Sequence, residues 1–339
     1  MSAEASGGAS LKMAEKLTFH FEGSLADDHT MNFYESARFQ YAASRLMVKL
    51  AQYRKNGKFV KNISDRTNPD IRLLSQADGS FNINIEDSNE PDDEDFVQVP
   101  LSDLIAYVSE RIIEKLETNV IGKALTKAGI IDADESETDD IEDFDEAIEE
   151  YLENNDLTTS LNKKTKKLIQ RRVAEAQREQ VMLENEATIA KIDAESGQEL
   201  VAMAAPLLSE MAKVALRRSA DTFEVRSSTY GRTKPILFLD RQMAQEIETA
   251  VVDERMTPIL GDVIQFNKNN GWGKVEIEDG ARTLSFNIPY DKLGAMKQNL
   301  IDQMKKDLVY LQTYFVRDQA REVKRLIVVG ILPTPPMTP

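Results

Sequence analysis

Cysteine is absent from the 339 residues. That removes disulfides, thiolate metal sites and cysteine nucleophiles, and it fits a reducing compartment. Histidine occurs twice, at His20 and His29. Neither stands in a set that supplies a nucleophile, a base and an orienting partner, so Asp28-His29 reads as a turn before a helix. No Gly-x-x-x-x-Gly-Lys-Ser/Thr loop, dinucleotide fingerprint or Gly-x-Ser-x-Gly elbow is present, and Gly271-Trp-Gly273 is too short to replace one. Long apolar runs are missing too. The longest, Leu200 to Leu208, contains Pro206, is followed by Glu210 and Lys213, and is less than half of a membrane span. Met1 to Ser10 lacks the apolar core of a signal peptide. These absences predict a cytoplasmic protein with no membrane partner, no cofactor and no recognisable catalytic apparatus.

What the sequence does have is charge, unevenly placed. Between Ala128 and Asn162 lie fourteen carboxylates and no Lys or Arg, in a chain whose net charge is -16. Like charges at this density resist burial, so the segment is expected to be a solvated acidic linker. Its most concentrated part includes Asp134, Glu135, Asp139, Asp140, Glu142 and Asp143. Asp132, Asp134, Ser136, Asp140 and Asp143 follow the ligand spacing of a calcium loop. Glu137, however, stands where the sharp turn wants glycine, and Asp143 where a longer bidentate Glu closes the site, so no specific metal is expected. The cluster Lys163-Lys-Thr-Lys-Lys167 with Arg171 and Arg172 follows; it solvates a helix or pairs loosely with the acidic segment.

Periodicity predicts an α+β chain. After a flexible leader over 1–15, an α+β domain spans 16–127. Leu17 to Glu22 alternates as a strand. A helix capped by Thr30 runs to about Arg54 with Phe39, Leu46 and Leu50 on its apolar face, ended by Asn56-Gly57. Asp78-Gly79 between alternating runs is a hairpin signal. A further helix spans Ser102 to Leu116. Beyond the acidic linker at 128–162, a helical connector is expected over 163–219, with Pro206 marking a break or a fresh first turn. The C-terminal domain, 220–332, shows strands at 263–266, 274–277 and 284–288, then a helix, then strands at 309–316 and 323–329. Phe223 to Arg226 and Ile236 to Leu239 precede them as extra strands, and Asp240 is placed to cap a short helix. That order is expected to form a small five-stranded barrel of the oligonucleotide-binding or SH3-like kind. Residues 333–339 form a Pro-rich tail.

Phe21-Glu-Gly-Ser-Leu-Ala-Asp-Asp-His29, then a helix, then Ala77-Asp-Gly-Ser-Phe81, resembles the N-terminal domain of a family of uncharacterised bacterial proteins. There it is followed by a helical connector and a five-stranded β-barrel. The resemblance implies architecture, bacterial origin and cytosolic residence, and transfers no activity or site residue. A host-defence or phage-related setting suits such a protein, though no residue argues for it.

One recognition spot stands out, the loop from Asn267 to Gly273 with the lone Trp272. Trp272 would stack on bases there, with Lys268 and Lys274 supplying charge and Asn270 turning the loop. The alternative is that Trp272 closes one end of the barrel. The leading expectation is a noncatalytic binding or assembly protein acting on another protein or as a homo-oligomer. Single-stranded nucleic-acid or nucleotide binding by the barrel is the alternative, and a carboxylate-dependent metal hydrolase a weaker one.

Overall fold

The computed structural model describes residues 14–74, 81–89, 91–116, 123, 127, 163–229, 232–249, 251–277, 282–306, 308–317 and 321–333. The Asp78-Gly79 turn, the acidic linker with its calcium-like spacing and the Pro-rich tail from 334 onward lie outside the described residues.

The first unit is built on β1 (Glu15–Glu22), whose alternation sends Leu17, Phe19 and Phe21 into the core at 1% exposure. Antiparallel β3 (Asn82–Asp87) pairs along one edge with Phe19 opposite Ile83, and β2 (Ile71–Leu73) lies outside it. Along the other edge runs β4 (Thr222–Thr229), with Phe21 opposite Phe223 and Phe19 opposite Val225, followed by β5 (Arg232–Asp240). The strand order is therefore β2-β3-β1-β4-β5. This corrects the expected boundary at 220: the strands at 222–240 complete the N-terminal sheet instead of preceding the barrel. Phe223 supplies the reason, because its ring joins Phe21 and Phe39 at centroid distances of 5.9 and 5.7 Å.

Helix α1 (Phe33–Asn56) covers the sheet with Phe39 and Leu46, both fully buried. Its cap is Asn32, whose side chain accepts from the Glu35 N–H at 3.2 Å. The expected cap, Thr30, instead donates its hydroxyl back to the Leu25 carbonyl. Gly57 ends the helix in the left-handed region at φ +66°, donating to the Tyr53 carbonyl. Helix α2 (Leu101–Ile112) has an N-terminus without a local side-chain cap. The Glu15 carboxylate, from β1, accepts from the Leu101 and Ser102 N–H groups at 2.7 and 3.0 Å.

The helices expected as a connector belong to this core. Helix α3 (Lys163–Glu184) buries Ile169, Val173, Ala174 and Met182; a short α4 (Glu186–Ile189) follows. Helix α5 (Ala194–Val214) packs Leu200, Ala204, Leu208 and Met211 at 0–1% exposure. It passes through Pro206 without breaking, since packing along its length outweighs the roughly 3 kcal/mol that an interior proline costs. Asp240 accepts from the Met243 N–H at 2.9 Å and starts α6 (Arg241–Thr249) as expected.

The second unit is a closed barrel: β7 (Thr257–Phe266), β8 (Trp272–Ile277), β9 (Arg282–Asn287), α7 (Tyr290–Gln303), β10 (Val309–Arg317) and β11 (Val323–Leu332). The first three strands form a meander. A parallel β9–β11 pairing and antiparallel β11–β10 and β10–β7 pairings then close the ring, with β6 (Val251–Val252) added beside β10. A helix between the third and fourth strands, with the third and fifth parallel, is the oligonucleotide-binding arrangement rather than the SH3-like one. The chain is thus α+β with a C-terminal barrel. Among the described residues no helix is long and apolar enough to cross a membrane.

Candidate interaction surface

The loop singled out in the sequence is turned inward. Asn270 and Trp272 are 6% and 5% exposed. The Trp272 N–H donates to the Asn270 side chain at 3.0 Å, and Gly271 makes the turn at φ +72°. Lys274 stands 5.1 Å from the centre of the Trp272 ring, while Lys268 is exposed. Stacking on a base needs an open aromatic face, which Trp272 does not present.

What occupies this end of the barrel is the protein itself. Lys115, just past α2, donates to the Asn270 carbonyl at 2.7 Å. Arg325 of β11 donates to the Ile112 carbonyl and, at 3.1 Å, to Asn287. Ser285 of β9 donates to Glu114 at 3.2 Å, and Arg111 of α2 meets Asp291 of α7 at 2.8 Å. The barrel surface beside the predicted loop is therefore an internal seam.

A buried ionic cluster anchors that seam. Lys115 lies 2.6 Å from Glu110 and 3.2 Å from Glu179; Arg178 lies 3.4 Å from Glu110. Burial pushes the Glu110 carboxyl up, but Lys115 and Arg178 outweigh it and hold it below the ordinary range. Burial would likewise lower Lys115, and Glu110 with Glu179 reverses this and raises it. Glu175, 1% exposed, is pushed up by burial despite Arg172. These groups resemble catalytic residues in their perturbation. However, Glu110, Lys115 and Arg178 are only 2–3% exposed, so no substrate reaches them and their work is cohesive.

Nor do the histidines assemble a site. His20 is buried between Asn82 at 2.7 Å and Glu22 at 3.2 Å, and His29 ends a 3₁₀ turn (Ser24–Asp28). No group of three or more potential metal ligands occurs among the described residues. At the start of α2, Asp103 accepts from Asn185 at 2.8 Å; burial, then the nearby Glu15 carboxylate, pushes it up to about 7. A raised carboxyl contributes stability that is present below its ordinary pKa of 3.8 and is lost as pH rises through about 7. Asp103→Asn is accordingly expected to raise stability by about 1–3 kcal/mol near pH 8 and by nothing near pH 4, read by urea titration at both.

The open surface lies on α1. Tyr34, Arg38, Tyr41 and Arg45 follow one another at helical spacing, beside Phe33. Phe33, Tyr34 and Tyr41 are 89%, 67% and 65% exposed. Arg38 lies over the Tyr34 ring and Arg45 over the Tyr41 ring, at 5.6 and 5.5 Å. Next to Tyr41 a groove of 410 Å³ runs between α1 and the edge of the sheet, lined by Met47, Ile71 and the exposed Leu73. Of the cations on this stripe, Arg38 pairs with Glu210 of α5 and Arg45 has no ion pair among the described residues; the helix's single carboxylate, Glu35, is buried against the Ser219 hydroxyl. Exposed Arg217 and Arg218 stand just before that same Ser219, whose hydroxyl also accepts from the Asn32 N–H. A cationic, aromatic face is unusual on so acidic a chain. The signal was available in the spacing of Tyr34, Arg38, Tyr41 and Arg45, opposite the apolar stripe from which the helix was read.

No protein-family model matches this chain, and neither a curated protein nor a solved structure shows significant similarity to it.

Proposed function

We propose that the chain is a noncatalytic binding or assembly protein whose contact surface is the outer face of α1 and the groove beside it. The observation that carries this reading is the exposed Tyr–Arg stripe. Tyrosine and arginine are enriched where protein interfaces concentrate their energy, and contiguous exposed aromatics mark such surfaces. The cations on the face call for a protein partner with carboxylates around apolar anchors. Nucleic-acid recognition by the barrel is less well supported, because Trp272 and Asn270 are buried in the internal seam.

A synthetic peptide of residues 136–156 combines carboxylates with Ile141, Phe144, Ile148 and Tyr151 and serves as a probe of that chemistry. Fluorescence anisotropy is run against the full chain and against a chain lacking 130–156, so that occupation by the protein's own segment is seen as a difference. Binding that weakens with salt is expected, reduced about tenfold or more by Tyr34→Ala, Tyr41→Ala and Arg45→Glu together. If neither chain binds, or if the triple variant binds as well, the surface is wrongly assigned.

A further inference from the structure

The sheet of the first unit ends at β2, and among the described residues no strand lies beyond it. Strand β3 bonds to alternate residues on this side. The Leu74 N–H donates to the Asn84 carbonyl at 2.8 Å, and the Ser88 N–H to the Asp70 carbonyl at 3.4 Å. Because an antiparallel ladder alternates, Ile71 and Leu73, which stand opposite Asp87 and Ile85, turn their main chain away from β3. The Ile71 N–H is used locally, donating to the Pro69 carbonyl at 2.9 Å. The Leu73 N–H and the Leu73 and Ile71 carbonyls are left on the outer edge.

The side chains along this edge continue the core. Leu17, Ile85 and Leu73 stand opposite one another across β1, β3 and β2. Leu17 is 1% exposed, Ile85 half-buried and Leu73 63% exposed, so the apolar row runs out from under α1. The 410 Å³ groove lies along that row, with Val48 of α1 on one wall and Ile71, Ile83 and Ile85 on the other. The ordinary account of a short outer strand is a blunted edge, and Arg72, paired with Asp70, fits it. Leu73 does not: an edge built only to repel other strands carries charge at such a position, not an exposed leucine beside an apolar groove.

We infer that this edge receives an extended segment of a partner protein, which adds a strand beside β2 and places alternate apolar side chains in the groove under α1. The inference rests on the reading of α1 and its groove as the contact surface, and it names how the partner is held. Main-chain bonds to Leu73 and Ile71 would supply affinity, and the groove would select the side chains, as in other strand additions to a sheet edge. Arg45, beside the groove-lining Tyr41 and without an ion pair among the described residues, calls for a carboxylate flanking the apolar residues. A second copy of this chain fits less well, because it brings another groove and another Arg45 in place of side chains to fill the one and carboxylates to pair with the other.

The test is fluorescence anisotropy of the full chain with a labelled peptide, Asp-Glu-Leu-Thr-Leu-Thr-Leu-Glu-Asp, and with the same peptide N-methylated along Leu-Thr-Leu-Thr-Leu. Leu73→Pro and Leu73→Ala are compared with the wild type. Both should keep the wild-type urea midpoint, since the Leu73 side chain is exposed and its N–H faces away from β3. Saturable binding is expected, weakened about tenfold or more by N-methylation, and weakened at least about threefold more by Leu73→Pro than by Leu73→Ala. If Leu73→Pro lowers the urea midpoint, the two peptides against the wild type decide alone. No binding, an N-methylated peptide that binds as well, or a stable Leu73→Pro chain that binds like Leu73→Ala overturns the inference. So does a chain that dimerises by itself and is dissociated by Leu73→Pro, which gives the edge to a second copy. The 136–156 peptide, whose apolar residues do not alternate, separates the two readings. If it binds through Tyr34, Tyr41 and Arg45 while the alternating peptide does not bind, the strand addition fails and the α1 surface stands; if neither binds, both fail.

Discussion

Lys115→Ala is expected to destabilise the protein by about 3–5 kcal/mol, the largest effect of any single charged residue here. The ammonium group is enclosed by Glu110 at 2.6 Å, Glu179 at 3.2 Å and the Asn270 carbonyl at 2.7 Å. Removing it leaves Glu110 with Arg178 alone and Glu179 with the more distant Arg172, both still largely buried, and it cuts the link from α2 to the barrel loop. The cost comes from that orphaning, not from the strength of the pair, because moving both charges out of water offsets most of their attraction. A Lys115→Met/Glu110→Leu chain, which removes one charge of each sign and keeps the volume, is therefore expected to recover a substantial part of the loss. Urea titration of the three chains decides it. The assignment fails if Lys115→Ala loses less than about 1 kcal/mol, or if the double variant is as damaged as the single one. Because the residue sits on the seam, limited proteolysis should release the barrel from Lys115→Ala at lower denaturant than from the wild type.

Elements with strong local signals were legible, and relations between distant elements were not. Leu17, Phe19 and Phe21 alternate strictly, so β1 follows from its own residues; α1 and the barrel's order of strands and helix follow likewise. The placement of β4 beside β1 does not, because Phe223 and Phe21 are 202 positions apart and nothing local names the partner. The same distance hides the cap of α2, whose acceptor is Glu15, and the burial of Glu175 and Arg178 on α3. A helix that rich in charge reads as solvated; packing of Ile169, Val173, Ala174 and Met182 and the contact of Arg178 with Glu110 of α2 turn one of its faces inward. The recognition loop shows the converse problem. Asn270, Gly271 and Trp272 were found in the turn where they belong, yet their chemistry, an aromatic between lysines, fits a ligand site and a packed seam equally well. Burial decides between the two, and burial depends on residues 112–116, which the sequence places at the end of a helix within a separate domain, 16–127.

That seam changes what Trp272 is expected to do when it is removed. Its ring is 5% exposed, with Lys274 above it and β9 alongside through the Trp272–Asn287 pairing. Trp272→Ala is expected to cost about 3–5 kcal/mol of stability, the price of a cavity left by a large aromatic. A ligand-contacting aromatic on an open loop behaves otherwise, losing affinity while stability changes by under about 1 kcal/mol. The residue also reports on itself, being the only tryptophan in the chain. Its emission should be that of a buried indole in the folded protein, shift to the red on unfolding, and stay unchanged when a single-stranded oligonucleotide is titrated at low salt. Saturable quenching by the oligonucleotide, with Trp272→Ala as stable as the wild type, would return the barrel to nucleic-acid recognition. Loss of stability without any oligonucleotide response identifies Trp272 as a packing residue of the seam, and the barrel as a buttress that the buried ionic cluster holds in place.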